Sequence, residues 1–182
     1  MKRTKLALVG AALLAATAMP VLADGGAKLG LGYFRTNAPI GARYWFTDKV
    51  AGDVGIGLNG VPLTDNNGAQ STKVGFALDV GIPIVLMGDE HTMFFFRPGF
   101  AYQTNPTSYD NTNSLITSKT LWISGDLGVE HFIGKKFSVE VAHGIMYQSY
   151  DSGVTNSKKL NSFMTEGLGV TSLGFHYYFW PN

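Results

Sequence analysis

The side chains able to move protons, ligate metal or pair as ions here are histidine, carboxylate, lysine and arginine, because cysteine is absent. The histidines are His91, His131, His143 and His176. They form no HExxH motif and no close ligand cluster, so neither a metal nor another cofactor is expected. Ser149, Asp151 and Ser152 lie close together and some residues beyond His143. Their spacing does not specify a nucleophile, its base and an acid, and a triad needs that arrangement. Glu130 and Glu140 are not assigned as a glycosidase pair, since two inward carboxylates on adjacent strands need no catalytic reason. No glycine-rich stretch precedes a helix, so none cradles phosphate. The expectation is a protein that is not an enzyme.

The elements that must position these residues begin with a leader. Met1-Lys2-Arg3-Thr4-Lys5 is basic, residues 6–18 are apolar, and Val21-Leu22-Ala23 is a small-residue cleavage site. This pattern predicts a signal peptide over 1–23 and a single β-barrel domain over 24–182. Fourteen Lys and Arg face 13 Asp and Glu across the chain. Lys2, Arg3 and Lys5 leave with the leader, which turns a slight positive balance into a slight negative one. No basic stripe remains to meet phosphates, and nucleic acid is excluded as a partner. After the leader no apolar run is long enough for a membrane helix, so any route into a bilayer runs through strands.

Period-two alternation marks eight strands, over about 28–34, 39–46, 51–59, 72–86, 92–104, 119–132, 136–148 and 163–179. The fourth is the clearest: Val74, Phe76, Leu78, Val80, Ile82, Ile84 and Leu86 share one face, opposed by Lys73, Gly75, Ala77, Asp79, Gly81 and Pro83. A helix does not hold that period over such a length. Pro83 cannot donate to a ladder and marks a strand end, bulge or rim. In the last strand Leu168 and Val170 are out of parity with Leu173, Phe175, Tyr177 and Phe179, which predicts a β-bulge near Thr171-Ser172. Short connections at 47–49, 88–90 and 134–135 alternate with long polar ones at 60–71, 105–118 and 149–162; only 35–38 is short where a long one is due. The reading is all-β, an eight-stranded antiparallel up-and-down transmembrane barrel.

The polar face carries Arg43, Asp53, Lys73, Asp79, Arg97, Asp126, Glu130 and Glu140 amid small residues. Eight strands enclose a space that small residues and a few paired charges fill, and that large aliphatic side chains would overfill. The charges are therefore expected inside and the apolar face outside. Arg43 and Arg97 are the natural centres of an interior network, with Asp79, Asp126, Glu130 and Glu140 as partners, because an unpaired buried charge costs several kcal/mol. Register is unknown, so the pairs stay open. The network reads as a structural lattice, with a narrow polar conduit or proton path as the other reading. By parity His143 shares the outward face with Val141 and Ile145, unless a bulge turns it inward. Aromatics near the strand ends, among them Tyr44, Phe46, Phe132, Phe137 and Tyr147, suit interfacial girdles.

The hairpins Gly41-Ala42-Arg43-Tyr44-Trp45-Phe46-Thr47-Asp48-Lys49 and Glu130-His131-Phe132-Ile133-Gly134-Lys135-Lys136-Phe137-Ser138-Val139-Glu140, with the aromatic closing strand, resemble small outer-membrane β-barrels. That eight-stranded class includes the OmpA membrane domain, OmpX and OmpW. The resemblance implies the outer membrane of a Gram-negative-type bacterium, contact with outer-membrane lipid, and a monomer. It also implies that Leu173, Phe175, Tyr177 and Phe179 form a C-terminal signal for the barrel assembly machinery, although Trp180-Pro181-Asn182 run past the final aromatic. Such a fold does not choose a function. The leading expectation is a non-enzymatic barrel, structural or meeting an extracellular partner through its loops. The alternatives are a porin-like narrow pore or apolar-solute transporter, a lipid-modifying enzyme, and a soluble periplasmic barrel binding an apolar ligand.

Overall fold

The computed structural model describes residues 28–35, 37–89, 91–134, 136–165 and 171–179. The expected leader, Leu168 and Val170, and residues 180–182 lie outside them. The strands are β1 (Lys28–Tyr33), β2 (Ile40–Trp45), β3 (Ala51–Thr64), β4 (Gln70–Gly81), β5 (Ile84–Gly88), β6 (Thr92–Tyr109), β7 (Leu115–Ile133), β8 (Phe137–Asp151), β9 (Leu160–Met164) and β10 (Thr171–Phe179). Each pairs antiparallel with its neighbours, and β10 bonds to both β1 and β8, which closes the sheet. Because β4 and β5 share one side of β6, and β9 and β10 share one side of β8, these strands fill eight positions. The chain is an all-β, eight-stranded closed antiparallel barrel.

Pro83 is the cause of the first split. It has no N–H to give, so the ladder breaks between β4 and β5, while its carbonyl accepts Ala51 N at 2.9 Å. The second split differs from the expected one-residue bulge. Thr171 and Ser172 pair regularly with His143 and Ala142, whereas Met164 pairs with Met146. The register between β9 and β10 thus moves by an even number of residues. Phe163 and Leu173 can then both point outward without any parity change.

Alternation sets the faces throughout. Exposed and buried residues alternate strictly along β10. Outside stand Ile56, Leu58, Phe76, Ile82, Val141 and Phe175, with Leu58 as much as 75% exposed. Inside stand Arg43, Asp53, Asp79, Arg97, Asp126, Glu130 and Glu140, all buried. This is the reverse of a water-soluble protein, in which apolar side chains leave the surface.

One rim is made of tight turns. Thr47 Oγ1 accepts the amides of Lys49 and Val50 at 3.1 and 3.0 Å, and Asp89 Oδ1 accepts those of His91 and Thr92, both at 2.8 Å. The opposite rim was expected to carry long loops at 60–71, 105–118 and 149–162. Instead the strands run on and form tall hairpins, tipped by residues 65–69, 110–114 and 152–159. Asp65 and Asp110 fold back on their own tips through side-chain bonds to following amides.

The connection between β1 and β2 departs from this plan. The hairpin stops where Tyr33 meets Ile40, far below the other tips, and the chain then turns into the barrel. Phe34 and Ala38 are buried. The loop passes so close to the inner face of β3 that a Cβ on Gly55 would lie 2.7 Å from the Ala38 carbonyl oxygen, an approach only glycine permits.

Candidate functional site

The barrel interior holds a chain of alternating charge built from six strands and the inward loop. Arg43 on β2 donates to Glu130 Oε2 of β7 at 2.9 Å, to Glu140 Oε2 of β8 at 2.7 Å and to Asp53 Oδ2 of β3 at 2.8 Å. Asp53 passes the chain on, since Arg97 Nε and Nη2 of β6 donate to it at 3.0 and 2.6 Å. Arg97 also donates to Asp79 of β4 and stands 3.8 Å from Asp126 of β7. Arg35, carried in by the short loop, ends the chain with a 2.5 Å bond to Asp126. Arg43 and Arg97 are each 1% exposed. Burying them is tolerable because each is held by several carboxylates, although Arg43 Nε and Arg97 Nη1 have no hydrogen-bond partner among the described residues.

Register explains who meets whom. Glu130 and Glu140 are direct cross-strand partners. Two like charges so placed repel, and the Arg43 fork between them relieves the repulsion. Asp53 lies opposite Arg43, and Asp126 lies opposite Arg97. The sequence named Arg43, Asp79, Arg97, Asp126, Glu130 and Glu140 as interior charges, and the structure brings all six into one chain. It adds Asp53 as the joint between the two arginines and Arg35 as the terminal cation.

It also adds a group the sequence reading left unassigned. Glu130 Oε1 accepts from Ser138 Oγ at 2.5 Å, from Tyr178 Oη at 2.7 Å and from His176 Nδ1 at 3.1 Å. His176 is 1% exposed, and the Phe34 ring lies on it with centroids 4.4 Å apart. Its tautomer follows from the donors. Ser138 gives its only proton to Glu130, so both oxygens facing Nδ1 are acceptors and Nδ1 carries the hydrogen. Ser138 is therefore not aligned for activation by this histidine. The signal for His176 was present, because strict alternation along β10 turns Gly174, His176 and Tyr178 inward when Leu173, Phe175 and Tyr177 turn out.

Glu130, Glu140 and His176 are all buried and bring one ligating atom each within 4.8 Å of one another. A carboxylate, carboxylate and imidazole set of this kind can hold a metal ion. This overturns the expectation that the protein is not an enzyme and has a purely structural interior: the barrel contains a candidate binding or catalytic centre that sequence spacing alone did not show.

The other histidines stay apart from it. His143 faces outward and its Nδ1 pairs with Thr171 Oγ1 at 2.8 Å, so no bulge turns it inward. Ser149 is six residues farther along β8, roughly 20 Å away at strand rise, which separates the residues of the conceivable triad. His131 bonds Thr92 Oγ1 at 2.9 Å near the turn rim. Leu173, Phe175, Tyr177 and Phe179 all lie exposed on the outer face of β10.

Above the charged chain, toward the hairpin rim, lies a recess of about 560 Å³ counting its open mouth. Ala38, Ala77, Ala101, Trp122 and Met146 line it, with Arg35, Asp79, Ser124 and Ser172 at polar positions. Below the chain Trp45, Ala51 and Tyr178 pack together with Val85, Met93 and Phe132, closing the turn end with apolar side chains. No protein-family model matches the chain, and no curated protein matches it by sequence.

Proposed function

We propose that the chain is an outer-membrane barrel that binds a small amphipathic solute in the recess at its hairpin end. The observation that carries this reading is the asymmetry of the interior: an open recess above, a continuous charged layer in the middle and an apolar seal below. Such an interior favours binding and lateral or local exchange over flow along the axis. The apolar walls of the recess, with a few convergent polar groups, are the usual composition of a small-molecule site.

The membrane setting rests on the outward apolar face. Closed barrels and helices are the two forms whose backbone groups are all satisfied in hydrocarbon, and a lipid-facing belt of Leu, Ile, Val and aromatics is how a barrel meets it. Residues 1–23 then serve as the export leader, and the outward row Leu173, Phe175, Tyr177 and Phe179 as the assembly signal. Entry to the recess is favoured on one side. Among the described residues, 57–64 of β3 pair only with β4, because β2 has already ended opposite Ile56.

The test uses the folded protein in lipid vesicles and in a planar bilayer. A fluorescent amphiphile such as 1-N-phenylnaphthylamine is expected to bind saturably, one per barrel, and to be lost in Ala77→Trp, which fills the recess, while the bilayer stays electrically silent. Steady conductance steps from the wild-type barrel, or probe binding that does not saturate, would overturn the reading.

A further inference from the structure

The charged interior is not balanced. Among the described residues, three guanidinium groups, Arg35, Arg43 and Arg97, meet five carboxylates, Asp53, Asp79, Asp126, Glu130 and Glu140. Counted without His176, two negative charges are left over among largely buried side chains. Uncompensated charge is strongly disfavoured there.

A second observation points to what compensates it. His176 turns Nδ1 to Glu130, and its other ring nitrogen, Nε2, is buried with no hydrogen-bond partner, free to act as a ligand in the neutral ring. It looks toward the inner face of β10 beside Glu140: a Cβ built on Gly174 would lie 3.2 Å from Nε2 and 3.3 Å from Glu140 Cβ. The Tyr33 carbonyl oxygen would lie 3.2 Å from the same Cβ, so any side chain there would press on Nε2 and Glu140, and glycine leaves both unobstructed. Ser172 Oγ, the next inward side chain on β10, is also buried without a partner. Glu140 meets Arg43 through Oε2, and no bond of its Oε1 occurs among the described residues.

We infer that this space is a site for one first-row divalent cation of the Zn²⁺ class, ligated by His176 Nε2 and the Glu140 carboxylate. Imidazole with carboxylate oxygen suits Zn²⁺ and its transition-metal neighbours better than Mg²⁺ or Ca²⁺. Glu130 is not a ligand: Arg43, Ser138, Tyr178 and His176 occupy both of its oxygens. Its role is to hold Nδ1–H and so orient the ring, as a carboxylate does behind a metal-bound histidine. The double charge of the ion cancels the excess. Ser172 also lines the recess, which gives the ion a route from the hairpin end. The site stands independently of the solute proposed above.

The experiment is titration of chelator-treated, folded protein in detergent micelles with ZnCl₂, followed by calorimetry and by metal analysis after desalting. One Zn²⁺ per chain is expected, with affinity reduced more than 30-fold in His176→Ala and in Glu140→Gln and unchanged in His143→Ala and His91→Ala. Should His176→Ala fail to fold, Cu²⁺ bound to the wild-type barrel reports the same point. Its electron paramagnetic resonance spectrum is expected to show coupling to one imidazole nitrogen, and to keep it in His143→Ala. Absence of uptake by the folded wild-type chain, binding undiminished in Glu140→Gln, or a copper spectrum without nitrogen coupling would each overturn the inference.

Discussion

Arg35 donates to Asp126 at 2.5 Å across the barrel, joining the loop after β1 to β7, three positions round the closed sheet. This bond turns a short connection into part of the interior: it holds Phe34 over His176 and Ala38 at the edge of the recess. Replacing Arg35 with Met is expected to destabilise the barrel by about 2–4 kcal/mol, somewhat below the loss of a fully buried partner, because Asp126 keeps Ser124 and the nearby Arg97. Urea unfolding in vesicles measures the loss. Faster hydrogen exchange at the Phe34 and Ala38 amides, bonded within the loop, locates it.

The excess of carboxylates over guanidinium groups sets an order among substitutions in the charged chain. Arg43→Met strands Glu140 and takes one cation from Glu130 and from Asp53, which keep other partners, and is expected to cost about 3–5 kcal/mol or to prevent folding. Asp53→Asn removes one of the surplus negative charges while keeping a side-chain oxygen for Arg97, so it is expected to cost clearly less. Equal losses in the two variants would contradict the charge imbalance.

Arginine on the outer face tests the membrane setting by depth. Val141→Arg, near the middle of β8, is expected to cost about 2–4 kcal/mol in lipid, and Leu160→Arg, beside the hairpin rim, about 0–1 kcal/mol. A barrel surrounded by water would show no such gradient.

The hairpin tips respond to acid. Asp65 has its carboxyl held below the usual range chiefly by the Ala69 amide, and Asp110 chiefly by the Thr112 hydroxyl. Both groups are depressed in the folded state, so their contribution is complete above the ordinary aspartate pKa and fades as pH falls through the lowered values. The two tips touch through Asn66, whose amide donates to Asn113 Oδ1 at 3.1 Å and whose Nδ2 donates to the Asp110 carbonyl at 2.6 Å. Acidification is therefore expected to loosen both tips together, seen as matched broadening of the Ala69 and Ser114 amide signals by NMR. Loss at one tip alone would mean they are not coupled.

Two-residue periodicity made the walls of this barrel legible before any coordinates. Successive side chains of a strand point to opposite faces, so the row Val74 to Leu86 had to share a side, and Asp79, Arg97 and Glu140 each had to oppose the apolar row of its own strand. Small residues beside the charges gave that side as the inner one. Pro83 announced its own break. Periodicity says nothing about which residue of one strand stands opposite which residue of another. Shear and register decide that, and they placed Glu130 against Glu140, made Asp53 the bridge between two arginines, and brought His176, near the end of the chain, to Glu130. The inward turn that buries Phe34 and Ala38 was equally out of reach, because it depends on how far β3 outgrows the first hairpin. Which side each residue faces is a local property of extended backbone; which residues meet inside the closed cylinder is settled only when the last strand pairs with the first.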